Sequence, residues 1–197
     1  MAEIVIATKN PGKAREFAQL LAPKGITVKT LADFPPFEIV ENGRTFEENA
    51  TIKAQTAVDQ LGLPVLADDS GLMVDALNGA PGVFSARYAG DHDDDANNAK
   101  LLRELAGVPE EKRTAHFHTT IVGLKPDGAK LVTTGEVRGH ILTAPQGNQG
   151  FGYDPLFFVD ELQTGMATLT AEEKNAISHR GRALRAFMDQ FIQWWEA

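Results

Sequence analysis

The sequence predicts an α/β fold in which a mixed β-sheet is flanked by helices. A short apolar run, residues 4–7, is followed at once by a helix start at Asn10-Pro11, which is the opening of a βα unit. Further short apolar runs alternate with helix signals along the first half of the chain. Two long segments, 115–124 and 130–139, enclose a turn signal and predict a hairpin. Parallel βα pairing together with a hairpin gives a mixed sheet.

The elements of the first third can be placed in order. Residues 4–7 are apolar without alternation, as in a strand that is buried on both faces. Asn10 is a preferred N-cap and Pro11 suits the first helical position, so a helix begins there and ends near Pro23 and Gly25. A second strand over 27–31 and a proline-containing loop over 33–42 follow.

The next elements begin with a capping box, because Thr45 stands three positions before Glu48. This helix should end at Leu61. We expect a strand over 65–67 that is broken by Asp68-Asp69-Ser70-Gly71 and resumes at 72–74. A loop with little regular structure is expected over 78–90, and a helix over 94–106.

The last third contains the hairpin, with Pro126-Asp127-Gly128 as its turn, and a short strand over 156–159. A second capping box at Thr170 leads a helical stretch to the end of the chain. Its apolar stripe predicts a core or a subunit contact; the stripe consists of Leu184, Phe187, Met188, Phe191, Trp194 and Trp195.

Composition excludes several classes of function. The chain has 197 residues, and 27 acidic against 19 basic residues give a net charge of −8. This charge argues against indiscriminate binding of nucleic acid or anionic membranes, although a few lysines in one cleft could hold a small anion. The chain has no cysteine, which excludes disulfides, thiol nucleophiles and cysteine metal sites. No signal-peptide pattern and no membrane-spanning run is found, so we expect one soluble, cytoplasmic domain over 1–197.

The first candidate site segment runs from Thr8 to Lys13, between a buried strand and a helix N-terminus. Unpaired N–H groups and the helix dipole favour an anion there. Gly12 allows a phosphate to approach the backbone, and Lys13 adds positive charge. A P-loop would need glycine and a hydroxyl residue where Ala7 and Ala14 stand, so this is not one. The alternative is an ordinary capped turn with a surface lysine.

The second segment is Asp68-Asp69-Ser70-Gly71. Carboxylates that follow a buried strand in an α/β fold point to the crevice where ligands bind. Two acids there suit Mg2+, and one of them could act as general base for an attacking water. The alternative is a polar turn.

The third segment runs from Gly150 to Pro155. Its two glycines leave the ring of Phe151 open to a flat ligand, and Asp154 adds a carboxylate. The alternative is a glycine-rich turn.

The fourth segment combines Lys174 with Ser178, His179 and Arg180. On one unbroken helix, His179 and Arg180 would point about 140° and about 240° away from Lys174. We therefore predict a helix break near Ser178, with a solvated basic face as the alternative.

Two other polar segments are interpreted as structural. Residues 91–95 contain four aspartates and one histidine and are typical of a solvated loop and a helix start, with metal binding as the alternative. His116 and His118 alternate along a strand, which suits an exposed face better than a metal site.

Six motifs in one order resemble the inosine triphosphate pyrophosphatase family along nearly the whole chain. They are Thr8-x-Asn10-x-x-Lys13, residues 45–50 with Lys53-Ala54, residues 67–72, Gly79-Ala80-Pro81-Gly82 through Tyr88, residues 150–155, and Ser178-His179-Arg180. The resemblance implies a Mg2+-dependent hydrolase that converts ITP, dITP and XTP to the nucleoside monophosphate and pyrophosphate. It also implies an elongated mixed sheet with two lobes around a central substrate cleft, and a homodimer.

The resemblance also implies roles for residues at matching positions. Asp69 would be the general base and a metal ligand, and Glu41 the second metal ligand, with Glu38 as the alternative acid. Phe151 would stack on the purine, while His179 and Arg180 would contact its edge. The implied substrate-binding residues are Thr8, Lys9, Asn10, Pro11, Gly12, Lys13, Ser70, Phe151, Gly152, Tyr153, Asp154, Lys174, His179 and Arg180.

Selectivity has a physical route, because inosine and xanthine present an acceptor oxygen where adenine presents an amino donor. A cationic donor at that position rejects adenine, and mispaired buried groups can discriminate by about 10⁴-fold or more. Two other functions remain open: hydrolysis of another nucleotide class, such as modified pyrimidines, and nucleotide sensing without turnover.

Overall fold

A seven-stranded mixed sheet organises the computed structural model, which describes residues 3–196. Its strand order is β2-β1-β3-β4-β5-β6-β7. The strands are β1 (Glu3–Ile6), β2 (Thr27–Thr30), β3 (Val65–Val74), β4 (Thr114–Leu124), β5 (Lys130–Ile141), β6 (Phe157–Val159) and β7 (Thr164–Gly165). Strand β1 runs parallel to β2 and β3, whereas β6 runs antiparallel to β5 and β7. The predicted fold class is confirmed. Residues 1, 2 and 197 of the expected domain lie outside the described residues.

Helices flank this sheet and begin at the predicted signals. They are α1 (Pro11–Leu21), α2 (Phe46–Leu61), α3 (Asp94–Glu104), α4 (Ala171–Ile177), α5 (His179–Asp189) and α6 (Phe191–Glu196). Thr45 and Glu48 form the predicted capping box of α2, and Gly62 ends that helix in the left-handed conformation. None of the helices described between residues 3 and 196 is long and apolar enough to cross a membrane.

Strand β3 differs from the prediction, because it continues without a break through Asp68-Asp69-Ser70-Gly71. The prediction of an interruption was wrong for a physical reason. Strand β1 pairs only with the start of β3, at Val65 and Leu66, whereas β4 is the neighbour on the other side. Beyond β1, the carbonyl oxygens of Asp68 and Asp69 accept hydrogen bonds from Lys53 Nζ at 2.9 Å and Thr119 Oγ1 at 3.3 Å. The two carboxylates find side-chain partners of their own and do not need a turn to satisfy them. Two smaller differences are a 3-10 helix over Gly82–Arg87 in the expected loop and the two-residue strand β7.

The chain forms two compact units. The first contains the described chain up to Asp69, Thr119–Gly135, and the chain from Arg180 onward. The second contains Ser70–His118 and Glu136–His179.

The first unit is layered, with helices on both faces of its strands. Alternate residues of β1 enter opposite cores: Ile4 and Ile6 pack with Phe17 and Phe187, while Val5 packs on the other face. The core around Val5 is closed by the alanine-rich face of α2, formed by Ala50, Ala54 and Ala57. The predicted C-terminal stripe is core, since Leu184, Phe187 and Trp194 are buried.

The second unit has one apolar core around β5, β6 and helix α3. Its buried residues include Leu72, Leu101, Phe117, Phe157 and Leu169. His116 and His118 flank the buried Phe117 and lie on the more open side of β4, as predicted.

Candidate functional site

The loop between β1 and α1 presents the predicted helix N-terminus. The Asn10 side chain accepts the N–H groups of Gly12 and Lys13 at 2.8 and 3.2 Å, and its own N–H donates to Thr8 Oγ1 at 3.1 Å. Residues Thr8 to Pro11 line a pocket of about 740 Å³ in the first unit, together with Arg15. The helix dipole and the cationic side chains Lys9 and Arg15 make this end of α1 suitable for an anion.

Asp68 and Asp69 point to opposite faces of β3, because successive side chains of a strand alternate. Asp68 is buried and pairs with Lys13 Nζ at 2.9 Å. Its carboxylate also lies 3.4 Å from Arg180 Nε. Asp68 therefore belongs to the face covered by α1 and α5.

Arg180 is buried and binds two carboxylates of the first unit, Glu16 and Asp68. Burial opposes its charge, but these two carboxylates outweigh burial and raise its pKa. Burial lowers the pKa of Lys13, since it outweighs the attraction of Asp68 and the nearby cations Lys53 and Arg180 act in the same direction.

Lys53 of α2 lies on the other face of β3, where its ammonium contacts oxygen atoms of three residues. Its Nζ lies 2.8 Å from Glu41 Oε2, 2.9 Å from the Asp68 carbonyl oxygen and 3.8 Å from Asp69 Oδ1. Burial alone would lower the pKa of Lys53, but the carboxylates of Asp69, Asp68 and Glu41 outweigh it and raise that pKa. Lys53 is thus held in its charged form.

Asp69 is 7% exposed and accepts a hydrogen bond from Asn49 Nδ2 at 3.1 Å. Asn49 is itself fixed, because its Oδ1 accepts the Gly43 N–H at 2.8 Å. Burial raises the pKa of Asp69, and the opposing effects of Lys53, Lys13 and Asn49 do not cancel it. A carboxylate with a raised pKa is a better proton acceptor than an ordinary one. We call Lys13, Glu41, Lys53, Asp68 and Asp69 the carboxylate–lysine cluster.

Glu41 and Asp69 form the donor pair of this cluster that suits a divalent cation. Both carboxylates approach one cationic centre, the Lys53 ammonium, at 2.8 and 3.8 Å. Hard cations such as Mg2+ take one or two protein carboxylates together with substrate phosphates. Within residues 3–196, no group of three or more His, Cys, Asp or Glu side chains could hold a metal ion. A cation bound to Glu41 and Asp69 would therefore need further ligands from the substrate phosphates.

The second unit gathers three predicted residues in what we call the aromatic–lysine cluster: Phe151, Asp154 and Lys174. Asp154 Oδ2 accepts hydrogen bonds from the Phe151 N–H at 2.9 Å and from Lys174 Nζ at 2.7 Å. The Lys174 ammonium lies 4.6 Å from the centroid of the Phe151 ring. One buried carboxylate therefore fixes both the loop backbone and the lysine.

The glycines around Phe151 have a structural reason. Gly150 has φ +80°, and a Cβ there would overlap the Asp154 carboxylate. Tyr153 is buried and donates its hydroxyl to the Ser85 carbonyl oxygen at 2.8 Å, and burial raises its pKa. Tyr153 thus anchors the loop as a neutral phenol.

The predicted helix break occurs at Ser178, which ends α4 in an extended conformation before α5 begins at His179. The His179 ring is buried in the second unit and stacks on Phe117, with centroids 5.0 Å apart and planes at 13°. Ser70, which follows Asp69 in β3, is half-buried.

Three residues that contribute to the carboxylate–lysine cluster or its support had no predicted role: Asn49, Lys53 and Glu16. A signal for the first two was available. Asn49 and Lys53 are four positions apart on the face of α2 that also carries Ala50, Ala54 and Ala57. Polar residues on an otherwise alanine-rich, buried helix face indicate a polar partner opposite them. Glu16 lies in the second turn of α1 and offers no such signal.

Known proteins match this chain along nearly its full length. The model of the Ham1 family matches residues 4–190. The chain is 65% identical to the dITP/XTP pyrophosphatase of Lactiplantibacillus plantarum over 98% of this chain and 96% of that protein. It is 56% identical to the dITP/XTP pyrophosphatase of Geobacter sulfurreducens, covering 98% of each chain. The solved structure of a HAM1 protein from Coxiella burnetii superposes with a TM-score of 0.88 at 44% identity, over 98% of this chain and 100% of that one. The resemblance found in the sequence is confirmed, and the chain belongs to the Ham1 family.

Proposed function

We propose that this protein hydrolyses deaminated purine nucleoside triphosphates, namely ITP, dITP and XTP, to the nucleoside monophosphate and pyrophosphate. The observation that carries the proposal is the 65% and 56% identity, across almost the whole chain, to proteins named dITP/XTP pyrophosphatase. Such an enzyme removes damaged purines from the nucleotide pool.

The first unit supplies the groups for the triphosphate. At the α1 N-terminus the Asn10 side chain accepts the N–H groups of Gly12 and Lys13. The donors for a phosphate are therefore the Thr8 hydroxyl and the Asn10 side-chain amide, Gly12 allows close approach to the backbone, and the helix dipole and Lys13 add positive charge. The lowered pKa of Lys13 reflects burial among other cations, so a polyphosphate beside it would restore the stability of its charged form. Lys9 and Pro11 line the same end of the helix.

Asp69 is the general base for the attacking water. Its pKa is raised by burial, and its orientation is fixed by Asn49 at 3.1 Å. Lys53 lies 3.8 Å from its second oxygen and stabilises the charge that develops on nearby phosphoryl oxygens. Attack on the α-phosphorus releases pyrophosphate, and the water's proton passes to the Asp69 carboxylate.

Glu41 and Asp69 are the residues that would hold Mg2+. The assignment is supported by the convergence of both carboxylates on one point, which the Lys53 ammonium marks, and by their chemistry, because Mg2+ prefers carboxylate oxygens. A bound Mg2+ supplies neutralisation of the triphosphate charge. The protein groups around it orient the water and the phosphates.

The second unit supplies the groups for the purine. Phe151 stacks on the base, and Asp154 and Lys174 line its pocket with Gly152 and Tyr153. Ser70 contacts the substrate, and His179 contacts the purine edge. Arg180 is assigned to the same edge on the family resemblance alone, since it belongs to the first unit and its guanidinium binds Glu16 and Asp68. Donors aimed at the 6-keto oxygen favour inosine and xanthine over adenine.

Three further properties are proposed on the family resemblance. The protein acts as one pyrophosphatase domain over 1–197, it forms a homodimer, and it works in the cytoplasm. None of them alters the residue roles given above.

The test is pyrophosphate release from ITP, XTP, dITP, GTP, ATP and dUTP, each with Mg2+ and with EDTA. Mg2+-dependent release from the first three, with ATP and GTP nearly inert, supports the proposal. Release chiefly from dUTP or another nucleotide would overturn the substrate assignment, and tight ITP binding without turnover would indicate a sensor. Asp59→Asn, which alters an exposed carboxylate of α2, is the matched control for variants of the buried carboxylates.

A further inference from the structure

Helix α3 contacts the loop that carries Phe151 through two side chains. Asp94 Oδ2 accepts the N–H of Gly152 at 2.7 Å, and Asn98 Nδ2 donates to the Gly152 carbonyl oxygen at 2.9 Å. The two side chains are four positions apart and so lie on one face of α3. Both backbone polar groups of one loop residue are therefore bound by one helix.

These bonds fix the backbone on both sides of the Phe151 α-carbon. The Phe151 N–H, in the peptide before this residue, donates to Asp154 at 2.9 Å. The Gly152 N–H belongs to the following peptide, and the Gly152 carbonyl to the one after that. Three consecutive peptide planes are thus held by Asp154, Asp94 and Asn98. With both neighbouring planes fixed, the Phe151 ring retains only its side-chain torsions.

Helix α3 is itself firmly anchored in the second unit. Asp93 caps its first turn by accepting the Ala96 N–H at 2.9 Å, and Leu101 is fully buried. Asn97, 2% exposed, accepts the N–H groups of Ala89 and Gly90 at 2.6 and 3.2 Å. The helix therefore offers a rigid support from which Asp94 and Asn98 reach the loop.

We propose that Asp94 and Asn98 are positioning residues for nucleobase recognition, because they pre-organise the Phe151 loop. The inference rests on the proposed function, which assigns Phe151 to the purine. Neither residue touches the substrate. They hold the loop in its binding conformation before the base arrives, so that binding costs less conformational entropy.

The variants are Asp94→Ala, which removes the acceptor, and Asp94→Asn, which retains a carbonyl oxygen for the Gly152 N–H. Asn98→Asp removes the donor while keeping the shape of the side chain. Asp95→Ala is the matched control, since it removes an exposed carboxylate from the same helical turn. Affinity is measured by calorimetry with the α,β-methylene analogue of ITP and with inorganic tripolyphosphate, and turnover by pyrophosphate release.

We expect Asp94→Ala and Asn98→Asp each to weaken the ITP analogue and raise the KM for ITP by about tenfold, the scale of one lost hydrogen bond to a charged or buried group. The kcat should stay within about threefold of the wild-type value, and tripolyphosphate affinity should be unchanged because that ligand has no base. Asp94→Asn should recover most of the affinity, and Asp95→Ala should match the wild type.

Wild-type KM and analogue affinity in both Asp94→Ala and Asn98→Asp would overturn the inference while leaving the proposed function intact. Equal weakening of tripolyphosphate would also overturn it, because the effect would then be a general loss of structure. If Asp94→Ala does not fold, Asn98→Asp and Asp94→Asn decide the question. A wild-type protein that neither binds nor hydrolyses ITP would overturn the proposed function and the inference together.

Discussion

Two adjacent aspartates acquire different environments because a strand separates their side chains. Asp68 points to the face of α1 and α5 and pairs with Lys13 and Arg180. Asp69 points to the face of α2, where Asn49 and Lys53 reach it. Cations bind the first tightly, whereas burial dominates the second and raises its pKa. This difference is why the proposed function assigns the general base to Asp69 and not to Asp68.

Replacing Asp69 by asparagine should abolish turnover and preserve the fold. The amide cannot accept a proton, and the loss of a general base costs about 10²–10⁴-fold in kcat. The carbonyl oxygen of the introduced amide can still accept the hydrogen bond from Asn49, so nucleotide binding should persist. Pyrophosphate release and calorimetric binding of the ITP analogue measure the two properties. Turnover equal to that of the Asp59→Asn control would remove Asp69 from the mechanism.

The same substitution should make the protein more stable near neutral pH in EDTA. A carboxyl group whose folded pKa is raised above the ordinary 3.8 contributes stability below that value and loses it as pH rises through the folded pKa. At neutral pH the charged Asp69 carboxylate therefore destabilises the folded state, and Asp69→Asn removes this destabilisation. The melting temperature of the variant should exceed that of the wild type at pH 7, and the gap should close as pH falls toward 4. A gap that widens on acidification would contradict the raised pKa.

Substitutions of Lys174 and Asp154, which form an ion pair, should have strongly non-additive effects on the free energy of unfolding. Both residues are buried and their charged atoms lie 2.7 Å apart. Lys174→Met removes the ammonium that compensates the buried Asp154 carboxylate and should cost about 3–5 kcal/mol in the free energy of unfolding. The double variant Lys174→Met, Asp154→Asn should cost clearly less, because both charges of the pair are then absent and the amide can still accept the Phe151 N–H. Urea denaturation of the two single variants and the double variant measures the coupling, and additive effects would refute it.

At the scale of elements, close approach governs the contact between β4 and the C-terminal helices. Gly123 lies in β4, and a Cβ there would come within 2.5 Å of the Phe187 ring and 3.1 Å of Trp194. Phe187 and Trp194 also pack on each other, with centroids 5.2 Å apart. The absence of a side chain at Gly123 is thus what allows α5 and α6 to pack on the strand.

Gly123→Ala should therefore destabilise the protein by about 1–3 kcal/mol through overpacking. The substitution changes no polar group, so activity per folded molecule should be unaffected. Chemical denaturation measures the loss, and Phe187→Leu in the same chain tests its cause. The two substitutions should be less than additive, because the smaller leucine vacates the space that the alanine methyl requires. Full additivity would show that the strain arises elsewhere.

The elements that could be predicted are those whose determinants are local. The starts of α1, α2 and α4 follow from Asn10-Pro11 and from the two capping boxes, each within four residues. The break at Ser178 was predictable for another reason: only a break brings His179 and Lys174 toward one direction. In contrast, the continuity of β3 through Asp68–Gly71 depends on partners that come from α1 and α2, which no local pattern reveals.

At the scale of the molecule, the candidate site also contains residues that local sequence predicts and residues that it does not. Residues in contiguous motifs, such as Phe151 with Asp154, were predictable because their contact spans three positions. Lys53 and Asn49 reach Asp69 across 16 and 20 positions, and Asp94 reaches Gly152 across 58. Those contacts are set by how whole elements pack. The acidic segment containing Asp94 was interpreted as a solvated helix start, and its long-range contact had no sequence signal.

Removal of divalent metal should stop catalysis without unfolding the protein. The net charge is −8, yet two of the three carboxylates in the carboxylate–lysine cluster have a lysine partner: Asp68 pairs with Lys13, and Glu41 with Lys53. The cores of both units are apolar, and among the described residues no group of three or more His, Cys, Asp or Glu side chains could hold a metal ion. We therefore expect the fold to persist without a cation, whereas the proposed hydrolysis of a triphosphate in this cluster should need one.

EDTA should accordingly abolish pyrophosphate release from ITP while lowering the melting temperature by less than about 4 °C, the shift that about 1 kcal/mol produces in a chain of this size. The small change reflects only the lost binding of millimolar Mg2+ to the native state. EDTA saturated with Mg2+ is the control for the chelator itself. Unfolding in EDTA would make the metal a structural component and would contradict the pairing of Glu41 with Lys53. Undiminished turnover in EDTA would instead leave Lys13 and Lys53 as the cations that neutralise the phosphates.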